Sequence, residues 1–220
     1  MTPTLVLLHT IPGLVGAFAA WCADELPGVR VLHILDEPML ERIKQRGQDG
    51  PEENAHLLDH VRVAEAIGAT ALLVTCSSVS RAVARVRDRA AIPLFTIDDP
   101  MAAEAVRIGG RITVVATAPT TLAPSRELLE ATAARNGRAV EVRLRMVDGA
   151  LLALLAGDAA LHDRLVVAAL HEAEPESDVL VLAQATMARV LEALVNEPLA
   201  IPVLASPQLA LAEVRKAIAT

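Results

Sequence analysis

Short apolar runs alternate with amphipathic stretches along this chain. The runs are typical of strands buried in a parallel sheet, and the stretches carry apolar residues at helical spacing. The runs predict strands at residues 4–8, 31–35, 71–75, 93–97, 112–116, 140–144, 178–182 and 202–204. The stretches predict helices at residues 14–26, 52–67, 78–89, 100–108, 119–136, 148–157, 159–173, 186–196 and 208–219. The polar, glycine-bearing segment 36–50 predicts a loop with a short helix.

The second half of the sequence repeats the first. Three ordered segments match later segments at offsets of 107, 108 and 109 positions, namely 7–12 with 114–119, 72–78 with 180–186, and 92–95 with 201–204. Because ordered matches at a nearly constant offset indicate an internal repeat, we predict two similar units.

The fold class predicted from this pattern is α/β, with two pseudo-symmetric lobes, each containing a four-stranded parallel sheet flanked by helices. The N-terminal lobe would contain residues 1–98, joined by the closing helix at about 207–220, and the C-terminal lobe residues 99–206. Ligands of open α/β sheets bind outside the carboxyl ends of the strands. We therefore expect the active site in the cleft between the lobes.

Composition narrows the choice of partners. The formal net charge is -7 and no basic cluster occurs, so we expect no nucleic-acid partner. No apolar run reaches the length of a membrane span and no signal peptide is evident, so we expect a cytoplasmic protein without a membrane partner. The two cysteines show no zinc-binding spacing, and we expect no metal.

Cys76 is the first candidate for chemistry. It directly follows the third predicted strand and precedes a predicted helix, in which Ser77 or Ser78 would be the cap. The positive end of a helix dipole favours the thiolate form of such a cysteine. The alternative is a small buried apolar residue. Cys22 lies in a predicted helix and is most simply a core residue.

Three features of the sequence together resemble those of a known protein family. They are Cys76 after the third strand, Thr117-Ala118-Pro119-Thr120 at the opening of the second lobe, and an Ile-Pro pair before the last strand of each lobe. With its internal repeat, the whole chain resembles the aspartate/glutamate/hydantoin racemase superfamily. The resemblance implies a small carboxylic-acid substrate, no cofactor, and a homo-oligomer of two or more subunits. It also implies one thiol on each side of the carbon next to the carboxylate.

The sequence departs from this family at the second thiol. By the internal alignment, that position is occupied by Gln184, whose amide cannot act as an acid or base near neutral pH. Three reactions stay open. One is decarboxylation of a malonate-like acid, as in arylmalonate decarboxylases, whose single cysteine lies in the other lobe. Another is cis–trans isomerisation, as in maleate isomerases. The third is racemisation with His9 or Asp98 as the second base. A non-catalytic protein that binds a small carboxylate is a further alternative.

The candidate site residues lie at the strand ends of both lobes, where helix N-termini and hydroxyls can stabilise negative charge. The catalytic candidates are Cys76 and His9. The substrate-binding candidates are Thr10, Ser77, Ser78, Asp98, Thr117, Thr120, Gln184, Ala185 and Thr186. Each hydroxyl has the alternative role of a helix cap, and His9 that of a neutral, hydrogen-bonded core residue.

Overall fold

A computed structural model describes residues 2–218 and has an α/β fold, as predicted. One parallel sheet contains β1 (Thr4–His9), β2 (Arg30–Leu35), β3 (Ala71–Val74) and β4 (Leu94–Thr96). The other contains β5 (Arg111–Ala116), β6 (Glu141–Met146), β7 (Val179–Leu182) and β8 (Val203–Ala205). The helices are α1 (Gly13–Glu25), α2 (Glu37–Arg46), α3 (Pro51–Ala66), α4 (Ser80–Val86), α5 (Asp99–Ile108), α6 (Pro119–Arg135), α7 (Ala150–Leu155), α8 (Ala159–Ala173), α9 (Val190–Ala193) and α10 (Ser206–Ile218).

The two sheets have the same strand order. The first runs β2-β1-β3-β4 and the second β6-β5-β7-β8, with every neighbouring pair parallel. The strand that begins each unit is therefore central, next to the third strand of that unit. Leu8 pairs with Val74 in the first sheet, and Val115 pairs with Leu182 in the second. The carboxyl ends of these central pairs carry most of the predicted site residues.

The chain divides into two compact units. One contains the described residues up to Ile97 together with those from Pro207 onward, and the other contains Asp98–Ser206. In the first unit, β1 and β3 bury one apolar face under α2, α3 and α4, and Cys76 belongs to this apolar cluster. The interior is aliphatic, as expected for a parallel sheet covered by helices.

Residues 36–50, predicted as a loop with a short helix, contain the helix α2, which occupies most of the segment. Asp36 caps α2 by accepting a hydrogen bond from the Met39 backbone N–H, and Pro38 lies in the first turn. Gly47 ends the helix with φ 74°, a left-handed conformation that glycine adopts without a steric penalty. These are standard start and stop signals of a helix.

The helices predicted directly after β3 and β7 are interrupted. A 3₁₀ turn, Ser77–Val79, separates β3 from α4, and a second one, Ala185–Arg189, separates β7 from α9. The N-cap of α4 is Val79 and no side chain caps it, so the prediction of a Ser77 or Ser78 cap is wrong. Serine and threonine favour turns as well as helix caps, because their hydroxyls can hydrogen-bond to nearby backbone groups, so the sequence does not distinguish the two.

Gly109, which precedes β5, should not tolerate a side chain. A Cβ atom there would lie 2.3 Å from the Cβ of Asp178, whose carboxylate accepts hydrogen bonds from the backbone N–H groups of Gly110 and Arg111. We expect Gly109→Ala to lower the free energy of unfolding by about 1–3 kcal/mol in urea titrations. Gly110→Ala is the matched control, because its nearest neighbour is the Ala139 carbonyl oxygen at 3.7 Å. Equal stability of the two variants would contradict this expectation.

Candidate active site

Cys76 lies at the carboxyl end of β3, followed by Ser77 and Ser78 in the 3₁₀ turn. The three residues are buried, and only 7% of Cys76 is exposed. The Cys76 carbonyl oxygen accepts a hydrogen bond from the Val79 backbone N–H at 3.0 Å, which closes the turn. Because a full helix begins only at Ser80, the dipole near the thiol is weaker than the sequence predicted.

Thr10 follows the neighbouring strand β1 at the same sheet edge as Cys76. Leu8 pairs with Val74, and Thr10 and Cys76 each lie two residues beyond this last pair. Thr10 is 3% exposed, and its Oγ1 atom is buried without a hydrogen-bond partner among residues 2–218. A buried hydroxyl left unsatisfied costs about 1–3 kcal/mol. Such an atom, at the sheet edge that also carries the thiol, is a candidate ligand contact.

His9, the other catalytic candidate, is fully buried at the end of β1. Its Nε2 atom lies 2.9 Å from Nδ1 of His33, and its Nδ1 atom lies 2.8 Å from Oγ1 of Thr75. Burial, with a smaller contribution from His33, lowers the pKa of His9 to about 4. His9 is therefore neutral at pH 7, and either ring nitrogen must give up a hydrogen bond before it can transfer a proton. Its catalytic role stays a prediction.

The low pKa of His9 makes stability depend on pH. Between pH 6.5 and about 4 the unfolded chain binds a proton at this imidazole that the folded protein does not, so stability falls as pH falls through this window. The loss should be on the order of 2 kcal/mol. Urea unfolding at pH 7.5, 6 and 4.5 measures it, and His9→Gln should show a smaller loss. An identical pH dependence in the variant would refute this assignment.

Asp36, at the carboxyl end of β2, forms a pair with His60 of α3. The two side chains meet at 2.8 Å between Nε2 and Oδ2, and the other carboxylate oxygen accepts the Met39 N–H. Burial opposes ionisation of Asp36, but the hydrogen bonds from His60 and Met39 outweigh it and lower the pKa of the carboxyl group. Asp98, which follows β4, is 3% exposed and is the N-cap residue of α5.

Gln184 follows β7 and is bound to the turn between β5 and α6. Its Oε1 atom accepts hydrogen bonds from the backbone N–H groups of Thr117 at 2.6 Å and Ala118 at 3.3 Å. Its Nε2 atom donates to Oγ1 of Thr117 at 3.0 Å. The two N–H donors require an acceptor, so the Gln184 amide is oriented with its oxygen toward the turn.

The other predicted site residues of this unit differ in burial. Thr120, in the first turn of α6, and Thr186 are half-buried, whereas Ala185 is buried.

His162, in the first turn of α8, is a buried histidine that the sequence did not single out. Its Nδ1 atom lies 2.8 Å from Asp163, which also forms an ion pair with Arg189 at the end of the turn after Gln184. Its Nε2 atom has no hydrogen-bond partner within the described chain. The only signal in the sequence is a histidine among the apolar residues of an amphipathic helix, a pattern more typical of a core residue.

The described residues show neither a metal-binding cluster nor a membrane-spanning helix. Among residues 2–218, no three His, Cys, Asp or Glu side chains lie together in a group that could hold a metal ion. Within the same residues, no helix is both long enough and apolar enough to cross a membrane.

Structural comparison relates this fold to solved racemases. Allantoin racemase from Klebsiella pneumoniae is 21% identical, with a TM-score of 0.74 over 99% of this chain and 88% of the other. A glutamate racemase from Bacillus anthracis is 20% identical, with a TM-score of 0.71 over 97% of this chain and 80% of the other. Arylmalonate decarboxylase is 16% identical, with a TM-score of 0.60 over 98% of this chain and 92% of the other. At sequence identities of 16–21%, the structural likeness establishes the fold alone.

Sequence comparison establishes the family. No curated protein sequence matches the chain. The model of the Asp/Glu/Hydantoin racemase family matches residues 14–214, which is nearly the whole sequence and includes both Cys76 and Gln184. This chain therefore belongs to the Asp/Glu/Hydantoin racemase family.

Proposed function

We propose that this protein is a cofactor-independent enzyme of the racemase and isomerase class that acts at the carbon α to the carboxylate of a small acid. Cys76 is the thiol that transfers the proton. The observation that carries the proposal is the position of Cys76 just after β3, at the same sheet edge as the buried Thr10, whose hydroxyl has no hydrogen-bond partner within residues 2–218. Membership of the racemase family supports the reaction class.

The chemistry requires stabilisation of negative charge. When the Cys76 thiolate removes the α-proton, charge develops on the substrate carboxylate, and fixed hydrogen-bond donors lower the free energy of that state. The Thr10 hydroxyl is one such donor, and Ser77 and Ser78 supply hydroxyls next to the thiol. These residues form the substrate-binding set of the proposal in the first unit. In the second unit the set contains Asp98, Thr117, Thr120, Gln184, Ala185 and Thr186.

With a single thiol, proton transfer is restricted to one face of the α-carbon. The family resemblance assigns the second thiol to position 184, where this chain has glutamine. A thiol on one face can remove and return the α-proton of one enantiomer, but it cannot invert the carbon. We therefore expect proton exchange with retention of configuration as the basal activity, with any inversion dependent on a second base such as His9.

Decarboxylation of a malonate-like acid is the second candidate. The single thiol among the candidate site residues and the fold likeness to arylmalonate decarboxylase favour it. In that reaction the bond between the α-carbon and one carboxylate breaks with loss of carbon dioxide. The electron pair stays on the α-carbon, which then takes the proton of the Cys76 thiol.

Proton exchange in deuterated water tests both candidates. Enantiomerically pure amino acids, hydroxy acids and 2-arylpropionates, together with arylmalonates, are incubated with the protein and followed by NMR. Deuterium entry at the α-carbon of one enantiomer supports the first candidate, and loss of carbon dioxide from an arylmalonate supports the second. If no acid is exchanged or consumed while small carboxylates still bind, the protein is a carboxylate-binding protein and the enzymatic proposal fails.

The proposal includes a homo-oligomer of two or more subunits, on the basis of the family resemblance. Light scattering coupled to size-exclusion chromatography measures the mass in solution, for comparison with the subunit mass of 23.2 kDa. A monomer at micromolar concentration would refute this part of the proposal without affecting the chemistry.

A further inference from the structure

The sheet edges of the two units differ in how they are protected. An edge strand presents unpaired backbone N–H and C=O groups, and proteins commonly block such edges with short strands or charged side chains. β4 and β8, at one edge of each sheet, are three residues long. β6, at the other edge of the second sheet, carries Arg143 and Arg145, each in an ion pair. β2, at the corresponding edge of the first sheet, has no Lys, Arg, Asp or Glu between Val31 and Leu35.

The backbone of β2 alternates between β1 and the outer side of the sheet. The N–H groups of Arg30 and Asp36 donate to carbonyl oxygens of segment 3–9, at 2.9 and 2.8 Å. Because successive residues of a strand face opposite sides, the odd-numbered residues between them direct their N–H and C=O groups outward. These residues are Val31, His33 and Leu35. Within residues 2–218, β1 is the only strand that pairs with β2, so this outer edge is open.

Unpaired charges of opposite sign flank the open edge. Arg30 at its start and Glu37 just beyond its end are exposed, and neither side chain has an ion-pair or hydrogen-bond partner in the described chain. Leu35, between them, is an apolar side chain that is 43% exposed. A basic start, an apolar middle and an acidic end make the strand complementary to an antiparallel copy of itself.

We infer that the outer edge of β2 binds β2 of a second copy of this chain, antiparallel and about a two-fold axis at His33. The two His33 residues then form a hydrogen-bonded pair, and Val31 forms another with Leu35 of the second copy. The same pair recurs across the axis, as a two-fold interface requires. This inference goes beyond the proposed chemistry and assigns a surface to the proposed homo-oligomer.

The charges select this register. With the axis at His33, Arg30 lies opposite Asp36 of the second copy and next to its Glu37. Opposite charges that face each other across antiparallel strands are stabilising. Moving the axis by one residue in either direction would place Arg30 opposite an uncharged residue. The register at His33 is therefore the one that pairs both ends of the edge.

Charge reversal at the two ends tests the inference. Arg30→Glu brings like charges together twice in a symmetric dimer, so we expect the dissociation constant of the full-length protein to rise about tenfold in sedimentation velocity. Adding Glu37→Arg to that variant should recover part of the loss, because the new residues have opposite charges. Arg164→Glu is the matched control, because Arg164 is exposed and lies in α8 of the other unit. It should leave the dissociation constant unchanged.

Proline substitution tests the backbone pairing. Val31→Pro removes an outward N–H group and keeps the hydrogen bonds to β1, a position at which an edge strand tolerates proline. The variant should stay folded by circular dichroism and have the subunit mass of 23.2 kDa by light scattering at micromolar concentration. The natural protein should have about twice that mass. The charge variants keep the inference testable if the proline variant unfolds.

Two results would overturn the inference. They are a monomeric natural protein at micromolar concentration, and a dissociation constant that neither Arg30→Glu nor Val31→Pro changes in the folded protein. The second result would leave the proposed homo-oligomer intact and reject β2 as its interface. Failure of the proposed chemistry is separate, because it appears in the proton-exchange assay.

Discussion

Replacing Cys76 with alanine should abolish α-proton exchange while the protein stays folded. General acid–base catalysis by a positioned side chain supplies a factor of about 10²–10⁴, and the proposal assigns that contribution to this thiol. Alanine removes the sulfur from the end of β3 without adding volume to the apolar cluster around it. The measurement is the initial rate of deuterium incorporation by NMR, for the substrate that the natural protein exchanges fastest.

Two further variants separate chemistry from packing. Cys76→Ser keeps a side chain of similar size whose hydroxyl does not ionise near neutral pH, so it should be as inactive as the alanine variant. Cys22→Ala is the control for general loss of a buried thiol. Burial raises the pKa of Cys22 to about 11, and Cys22 lies on the buried face of α1, so exchange should continue in that variant. Exchange that survives both Cys76 replacements would remove this residue from the mechanism.

Replacing Gln184 with cysteine should introduce inversion of configuration. The family resemblance assigns a second thiol to this position, on the face of the α-carbon opposite the first. A new acid or base there should raise the rate of inversion by about 10²–10⁴ over the natural protein. The natural protein should exchange one enantiomer with retention, whereas the variant should exchange both enantiomers and convert either one into the racemate.

Chiral chromatography of reactions started from each pure enantiomer measures the inversion. Gln184→Ser is the control, because it opens the Thr117 turn to a similar extent without adding an acid or base near neutral pH. Inversion in the serine variant as well would mean that the glutamine only blocked an existing base. Absence of inversion in the cysteine variant, with exchange of the first enantiomer intact, would show that the two turns do not act on the same carbon.

The strands and most helices could be predicted from the sequence, because hydrophobic periodicity is a local property of the chain. Buried parallel strands such as β1 and β3 are continuous apolar runs, and the end of α3 is marked by Gly68. The prediction failed where tertiary packing outweighs propensity. The segments after β3 and β7 form 3₁₀ turns before short helices, where continuous helices were predicted.

The sequence by itself determined the α/β fold, the internal repeat and the position of one thiol at a strand end, since each follows from local pattern and spacing. Only the tertiary structure decided the hydrogen-bond partners of the buried polar groups. Gln184 contacts a threonine 67 positions earlier, and His9 contacts Thr75, 66 positions later. The same structure leaves the hydroxyl of Thr10 without a partner in the described chain, although its counterpart Thr117 is bonded. The physical reason is that a polar side chain can use any donor or acceptor that the fold brings within about 3 Å, and sequence spacing does not encode that distance.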